Sequence, residues 1–339
     1  MRSGKSLKEI FVSAWGQRIV ILIVIGVIML IFEPKFFTGN NFISIMLAIS
    51  VYGVMACGML LPVLVGGIDL SIGSTAALSG AIVTFYSMER NSTSGSFIVG
   101  FLIAMLVCAV IGVAHGILVM KISIPAFVVT LATKYFLLGV VMIYTGNAYT
   151  NITDKSSLLY KFSTTWLFGA IPVPVVVFLI VAVITLFILN LTTFGRKIYA
   201  VGGNPIAARF AGIKCDKSVV LAYIFSSVAA GIGGIVLTSW NAVVSSLMAS
   251  GYEGPVLLAM IIGGNDLAGG EGGVARAIFG ALLVGIIDNM QTLLGVPGDY
   301  RDFVQGVIII AALAYVTRTQ IKNRKSTNLA SKPRKMRNT

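Results

Sequence analysis

FISIMLAISVYGVMACGMLLPVLV, residues Phe42–Val65, runs for 24 positions without a charged side chain and passes directly into GGIDLSIGS, residues Gly66–Ser74. A helix rises about 1.5 Å per residue, so this run is long enough to cross the roughly 30 Å of hydrocarbon in a bilayer. It has no polar face to turn toward water, as a helix on a soluble protein must have. Glycines and Asp69 then interrupt it, and a carboxylate at bilayer depth costs about 2.5–3.5 kcal/mol unless protein or water faces it. The stretch therefore sets a fold class, the membrane helix bundle, and also the kind of place to look for function, an interruption in a span.

The same pattern continues outward. Ile72–Met88 and Val219–Trp240 are equally free of charge, and 57% of the 339 residues are apolar against 11% charged. With a mean hydropathy of +0.95, the composition excludes a soluble globular protein. Apolar runs predict an all-α, polytopic bundle of about ten transmembrane helices. They cover Ile19–Phe32, Phe42–Val65, Ile72–Met88, Phe97–Met120, Ile124–Tyr144, Ile171–Leu191, Val219–Trp240, Val256–Ile262, Val274–Leu294 and Phe303–Val316. The eighth is short enough to be a broken or re-entrant helix. The first follows basic residues as a secretory signal would, but no small-x-small site precedes Glu33-Pro34, so it is expected to remain as an uncleaved span.

The net charge of +13 is distributed as a membrane protein requires. Ten crossings with both ends inside put nineteen of the 25 Lys and Arg in the cytoplasm and five outside, with Lys134 within a span. The expected organisation is a cytoplasmic segment 1–18, a transmembrane domain 19–317 containing a cytoplasmic loop 194–213, and a basic tail 318–339. Such charge serves topology and lipid contact, not nucleic acid. Cys57 and Cys108 fall in apolar runs and Cys215 in a basic loop, so neither a disulfide nor a metal site is expected, and no cofactor.

GGIDLS at Gly66–Ser71 is echoed by GGNDLA at Gly263–Ala268. Related halves with interrupted helices in corresponding places are a transporter signature, and the path lies between them. The crossing count gives both motifs the same orientation, whereas an inverted repeat needs opposite ones. Gly67, Asp69, Ser71, Asn265 and Asp266 are the candidate path or gate residues. For the first motif a plainer reading coexists, in which Asp69 or Ser71 caps the helix beginning at Ile72. Gly263–Gly273 is glycine-rich but has no following Lys-Ser or Lys-Thr, and Gly4-Lys5-Ser6 has no glycine five residues before it, so neither is a nucleotide cradle.

FGRKIYAVGGNPIAARFAG, from Phe194 to Gly212, is the most organised stretch outside the spans. Asn204 can cap a helix that has Pro205 at its first position and ends at Gly212, carrying Ile206 to Phe210. Such a helix suits either docking into a partner or resting on headgroups. His115, the one histidine, reads as a packing residue; Lys134 and Asp288 are intramembrane charges that could pair.

Four stretches in order carry a family resemblance: GGIDLSIGS, FGRKIYAVGGNPIAARFAGI at Phe194–Ile213, IIGGNDLAGGEGG at Ile261–Gly273, and LLGVP at Leu293–Pro297. The chain resembles the permease subunits of the ribose and simple-sugar ABC importers from about residue 15 to 320. That resemblance implies a non-catalytic permease in a bacterial cytoplasmic membrane, paired with a second copy or a paralogue. It also implies two ATP-binding subunits inside and a sugar-binding protein outside. It makes Gly195, Arg196, Tyr199, Gly202, Gly203, Asn204, Ala207, Ala208 and Arg209 the expected ATPase-coupling residues. The chain departs from the pattern at Glu253-Gly254-Pro255, where relatives commonly read Glu-Leu-Asp, and at Asn265-Asp266. An intramembrane aspartyl protease using Asp69 with Asp266 or Asp288 is disfavoured, because the order here is Gly-Gly-x-Asp. A proton- or sodium-driven transporter would suit Asp69, Lys134 and Asp288, but not the four motifs.

Overall fold

The computed structural model describes residues 14–314 apart from 170, 299, 302, 312 and 313. The basic tail, most of the N-terminal segment and the end of the tenth expected span lie outside the described residues. The chain forms α1 (Ala14–Phe32), α2 (Gly39–Leu64), α3 (Ile72–Met88), α4 (Ser94–Met120), α5 (Ala126–Thr145) and the short α6 (Leu158–Thr164). It continues through α7 (Val173–Leu191), α8 (Thr193–Gly203), α9 (Pro205–Phe210), α10 (Cys215–Asn241), α11 (Glu253–Gly263) and α12 (Val274–Leu293), with helix again over 303–311. Each of the first nine expected crossings coincides with one of these helices. The protein is an all-α, multi-pass membrane bundle.

Among the described residues, α2, α4, α5, α7, α10 and α12 are long and apolar enough to cross a bilayer, while the described part of α1, α3 and α11 are shorter. Burial separates them into layers. The most apolar windows of α2 and α10 are 89% and 67% buried, whereas those of α4, α5 and α7 are 28%, 22% and 33% buried. α10 packs against α2, α3 and α4, and α2 also packs against α7 and α12. The outer helices turn Ile98, Leu102, Leu106 and Val110 on α4, and Leu179, Val183 and Phe187 on α7, outward. Apolar side chains exposed in such numbers need lipid.

Without water to drive helices together, association in a bilayer depends on close backbone approach. Gly112 and Gly116 on α4 provide it: a Cβ on Gly112 would run into the backbone of Ile224, and one on Gly116 into Val220 on α10. At the end of the bundle away from α8 and α9, the two-residue strands Thr150–Asn151 and Val243–Val244 pair antiparallel, with Thr150 opposite Val244. There α6 is pinned to α10 by Ser239, whose Oγ bonds to Leu159 O and to the Ser163 amide at 2.9 Å.

Candidate functional site: a backbone junction beside two short helices

Thr192 ends α7 in an extended conformation, and its Oγ1 accepts from the Gly195 amide at 3.1 Å, which starts α8 at once. The turn is tight enough that a Cβ on Gly195 would strike the carbonyls of Ile188 and Leu189. α8 buries Ile198 and Val201 and exposes Arg196 and Lys197. Sequence reading missed this helix because its 11 residues, Thr193–Gly203, include three glycines and are too few to stand out beside the spans.

Asn204 separates α8 from α9 and caps the latter, Oδ1 accepting from Ile206 N at 3.1 Å and Ala207 N at 3.0 Å. Pro205 takes the first helical position, where its lack of an N–H is harmless. Gly212, at φ +79°, ends the segment in the left-handed region. One face of α9 is buried through Ala208, which joins Val201, Cys215, Val219 and Tyr223. The opposite face presents Ile206 and Phe210, 69% and 90% exposed, one turn apart. Arg209 lies 3.7 Å from Asp216, an exposed pair.

The C-terminal end of α8 meets both echoed glycine motifs. Gly270 N donates to Leu64 O, the end of α2, at 2.9 Å. A Cβ on Gly202 would overlap that same Leu64 oxygen and press on the Gly270 nitrogen, so only glycine fits. Gly66 and Gly269 touch, and Tyr199 Oη donates to Gly272 O at 3.2 Å. Burial lifts the Tyr199 phenol above its ordinary pKa, against a smaller downward pull from the Arg276 guanidinium, which keeps it a neutral donor. Three chain segments thus contact one another through backbone atoms. The end of α2 and the loop that follows α11 are in direct contact.

The expected gate residues are largely internal braces. Asp69 is fully buried; Oδ1 accepts from Ser71 N at 3.0 Å and Ser71 Oγ at 2.7 Å, and Oδ2 accepts from Ser226 Oγ of α10 at 2.7 Å. Ser71 does not cap α3 through its side chain. The turn before α3 is instead closed by Asp69. Gly67 lies under the Tyr223 hydroxyl, and Ile68 O accepts from Thr130 Oγ1 at 3.2 Å. Asn265 is buried, with Oδ1 accepting from Gly273 N at 2.9 Å and Nδ2 donating to Met260 O at 3.3 Å. Asp266 Oδ1 accepts from Ala268 N at 2.9 Å. The first motif is therefore tied to α5 and α10, and the second to itself, to α11 and, through Arg276 on Gly264 O, to α12.

His115 is buried against the edge of Tyr223, ring centroids 5.8 Å apart, with neither nitrogen hydrogen-bonded. Lys134 pairs with Glu253 and not with Asp288. Glu253 was unmarked in the sequence except as the first residue of a departure from the family pattern. Asn289 exchanges two hydrogen bonds with Asn41, at 3.1 and 2.8 Å.

Comparison with known proteins places this arrangement in a family. The family described as branched-chain amino acid transport system / permease component matches residues 41–313. The ribose import permease protein of Escherichia coli K12 is 34% identical over 312 residues, covering 90% of this chain and 95% of its own length. The ribose import permease protein of Bacillus subtilis is 32% identical, covering 86% and 89%. The D-allose transport system permease protein of Escherichia coli K12 is 31% identical, covering 90% and 92%. No solved structure matches the chain. With the bundle from Asn41 onward, the two glycine motifs and the cap at Asn204 all inside the matched region, the chain belongs to this family of transport-system permease components, the non-catalytic membrane subunits of ABC importers.

Proposed function

We propose that the protein is the membrane-spanning subunit of an ATP-driven importer for a monosaccharide, and that the α8–α9 segment takes the push from a separate ATPase. The sugar reading rests on the relatives, which are permeases for ribose and D-allose at 31–34% identity over most of their length. The coupling reading rests on one geometric observation, the contact of Gly202 with both Leu64 and Gly270. A force on α9 passes through Asn204 into α8 and from there, with no intervening side chain, into the end of α2 and the loop that follows α11.

In this reading residues 194–213 and both termini face the cytoplasm of a bacterium, and Arg196, Lys197, Arg209, Lys214 and Lys217 supply the positive charge expected of that side. Two permeases, identical or paralogous, rest on two ATP-binding subunits, and a sugar-binding protein delivers solute to the opposite face. ATP binding shifts the pair between outward-open and inward-open states by differential contact with α9.

Reconstitution tests the whole reading. Proteoliposomes containing the permease, its ATPase and the binding protein should accumulate sugar only when ATP is enclosed with the ATPase, and an ionophore should leave uptake unchanged. Uptake that persists without ATP and collapses with the ionophore means an ion-driven carrier instead.

A further inference from the structure

Lys134 lies nine residues into the twenty of α5, near mid-span, and its Nζ is 2.5 Å from Glu253 Oε1 at the start of α11. The other two ion pairs among the described residues, Arg90–Glu89 and Arg209–Asp216, are exposed and lie outside the spans. This one is 25% and 13% exposed and lines a narrow cleft with Gly73, Ser74, Leu138, Ser246 and Ser250. Two charges at this depth are expensive, and packed apolar side chains would hold the helices as well or better. Stability alone does not account for them.

The cleft also holds hydrogen-bonding capacity that the protein leaves unused. Glu253 Oε2 is buried without a partner. An ammonium group has three donors, and the Lys134 hydrogen bond to Glu253 uses one of them. Ser74 donates its hydroxyl to Ser71 O at 3.0 Å and so keeps its acceptor sites open toward the cleft. The walls are four segments: the start of α3 just after the first glycine motif, the middle of α5, the loop before α11, and the start of α11, which carries the second motif at its far end.

We propose that Lys134 and Glu253 form the hydroxyl-binding point of the solute path. In the closed state they pair with each other; in the loaded state they take adjacent hydroxyls of a neutral monosaccharide, the carboxylate accepting and the ammonium donating, with Ser74 and Ser250 beside them. A vicinal diol is both donor and acceptor and replaces the mutual contact without leaving either charge unpaired. A solute of net charge would strand one of them. Because α11 is a rod of 11 residues, about three turns, that starts at Glu253 and runs toward the loop carrying Gly270, movement at Gly202 displaces Glu253 relative to Lys134. The inference rests on the sugar-import reading.

The test uses the complete importer in proteoliposomes, with D-ribose, L-arabinose, D-allose, a deoxy analogue of whichever is moved best, and L-leucine as probes. The binding protein is the same in every sample, so a changed preference reports the path. Lys134→Gln and Glu253→Gln should each lower uptake of the best sugar about tenfold, the loss of one hydrogen bond to a charged group. They should narrow its advantage over the deoxy analogue, while ATPase co-purification holds. Ser250→Ala, on an exposed residue, should narrow the same preference to a lesser degree, and it decides the matter if the charge variants fail to assemble. An unchanged preference in all the variants that assemble overturns the proposal. So does full recovery of uptake and preference in the exchanged variant Lys134→Glu/Glu253→Lys, which would make the pair a strut. If the unmutated complex moves L-leucine and no sugar, the sugar reading itself falls and this inference with it, an outcome recognisable because no substitution is involved.

Discussion

The amide of Gly270 donates to the carbonyl of Leu64, 206 positions earlier in the chain, and Gly202 closes over the same oxygen. This hydrogen bond joins the residue two before the first echoed motif to the residue two after the second, at the end of the bundle that carries α8 and α9. The coupling reading stands or falls at that contact.

Gly202→Val should therefore damage both stability and coupling. Its Cβ has no room beside Leu64 O and Gly270 N, and overpacking of this kind costs about 1–3 kcal/mol. The expected result is a lower melting temperature in detergent together with ATPase activity that no longer drives uptake. A variant that melts and transports like the wild type would show that the junction transmits nothing.

Phe210→Ser and Ile206→Ser should behave differently, because both side chains face outward and touch little of their own chain. Truncating a well-seated apolar anchor at an interface commonly costs about 2 kcal/mol or more, roughly thirtyfold in affinity. ATPase co-purification should fall while the melting temperature of the permease alone is unchanged. Normal co-purification would favour α9 as a helix resting on headgroups.

Asp69→Ala removes the acceptor for Ser71 N, Ser71 Oγ and Ser226 Oγ at once. Buried donors left unmatched cost about 1–3 kcal/mol, so the variant should melt earlier. Ser226→Ala, which removes only one of those bonds and leaves Asp69 with its Ser71 partners, should lose less. Thermal unfolding of the purified permease measures both.

His115→Phe should be close to silent. Neither ring nitrogen has a partner to lose, and a ring of similar volume can keep the edge contact with Tyr223. Stability should change by less than about 1.5 kcal/mol, and ATP-driven uptake should keep its pH profile. A variant that loses uptake without losing stability would make His115 a proton-handling residue.

The bundle was legible because hydrocarbon imposes a crude, long-range requirement on every span, one that runs such as Phe42–Val65 meet without ambiguity. The cap at Asn204 was legible for the opposite reason, being a local rule among adjacent residues. What escaped lies between these scales. α8 is short and carries three glycines, and its amphipathic pattern does not register beside its apolar neighbours. Lys134 was visible as an intramembrane charge, but Asp288 was as good a partner on paper as Glu253, 119 positions away. The echo between Gly66–Ser71 and Gly263–Ala268 was seen, yet nothing in either hexapeptide says that the two touch. Asp69 drew attention as a costly charge, and the structure answers with three hydrogen bonds from two segments, one of them out of reach of any local pattern.

The junction at Gly66, Gly202, Gly269 and Gly270 is built from main-chain atoms, and this dictates how it can be found by mutagenesis. An alanine scan assigns importance by deleting side chains, and here there are none to delete. Every substitution at these positions adds bulk, so the scan registers intrusion and never loss. Mapping force transmission in this protein calls for changes to the backbone itself, such as amide-to-ester replacement at Gly270, which erases the donor to Leu64 and leaves the shape of the chain intact.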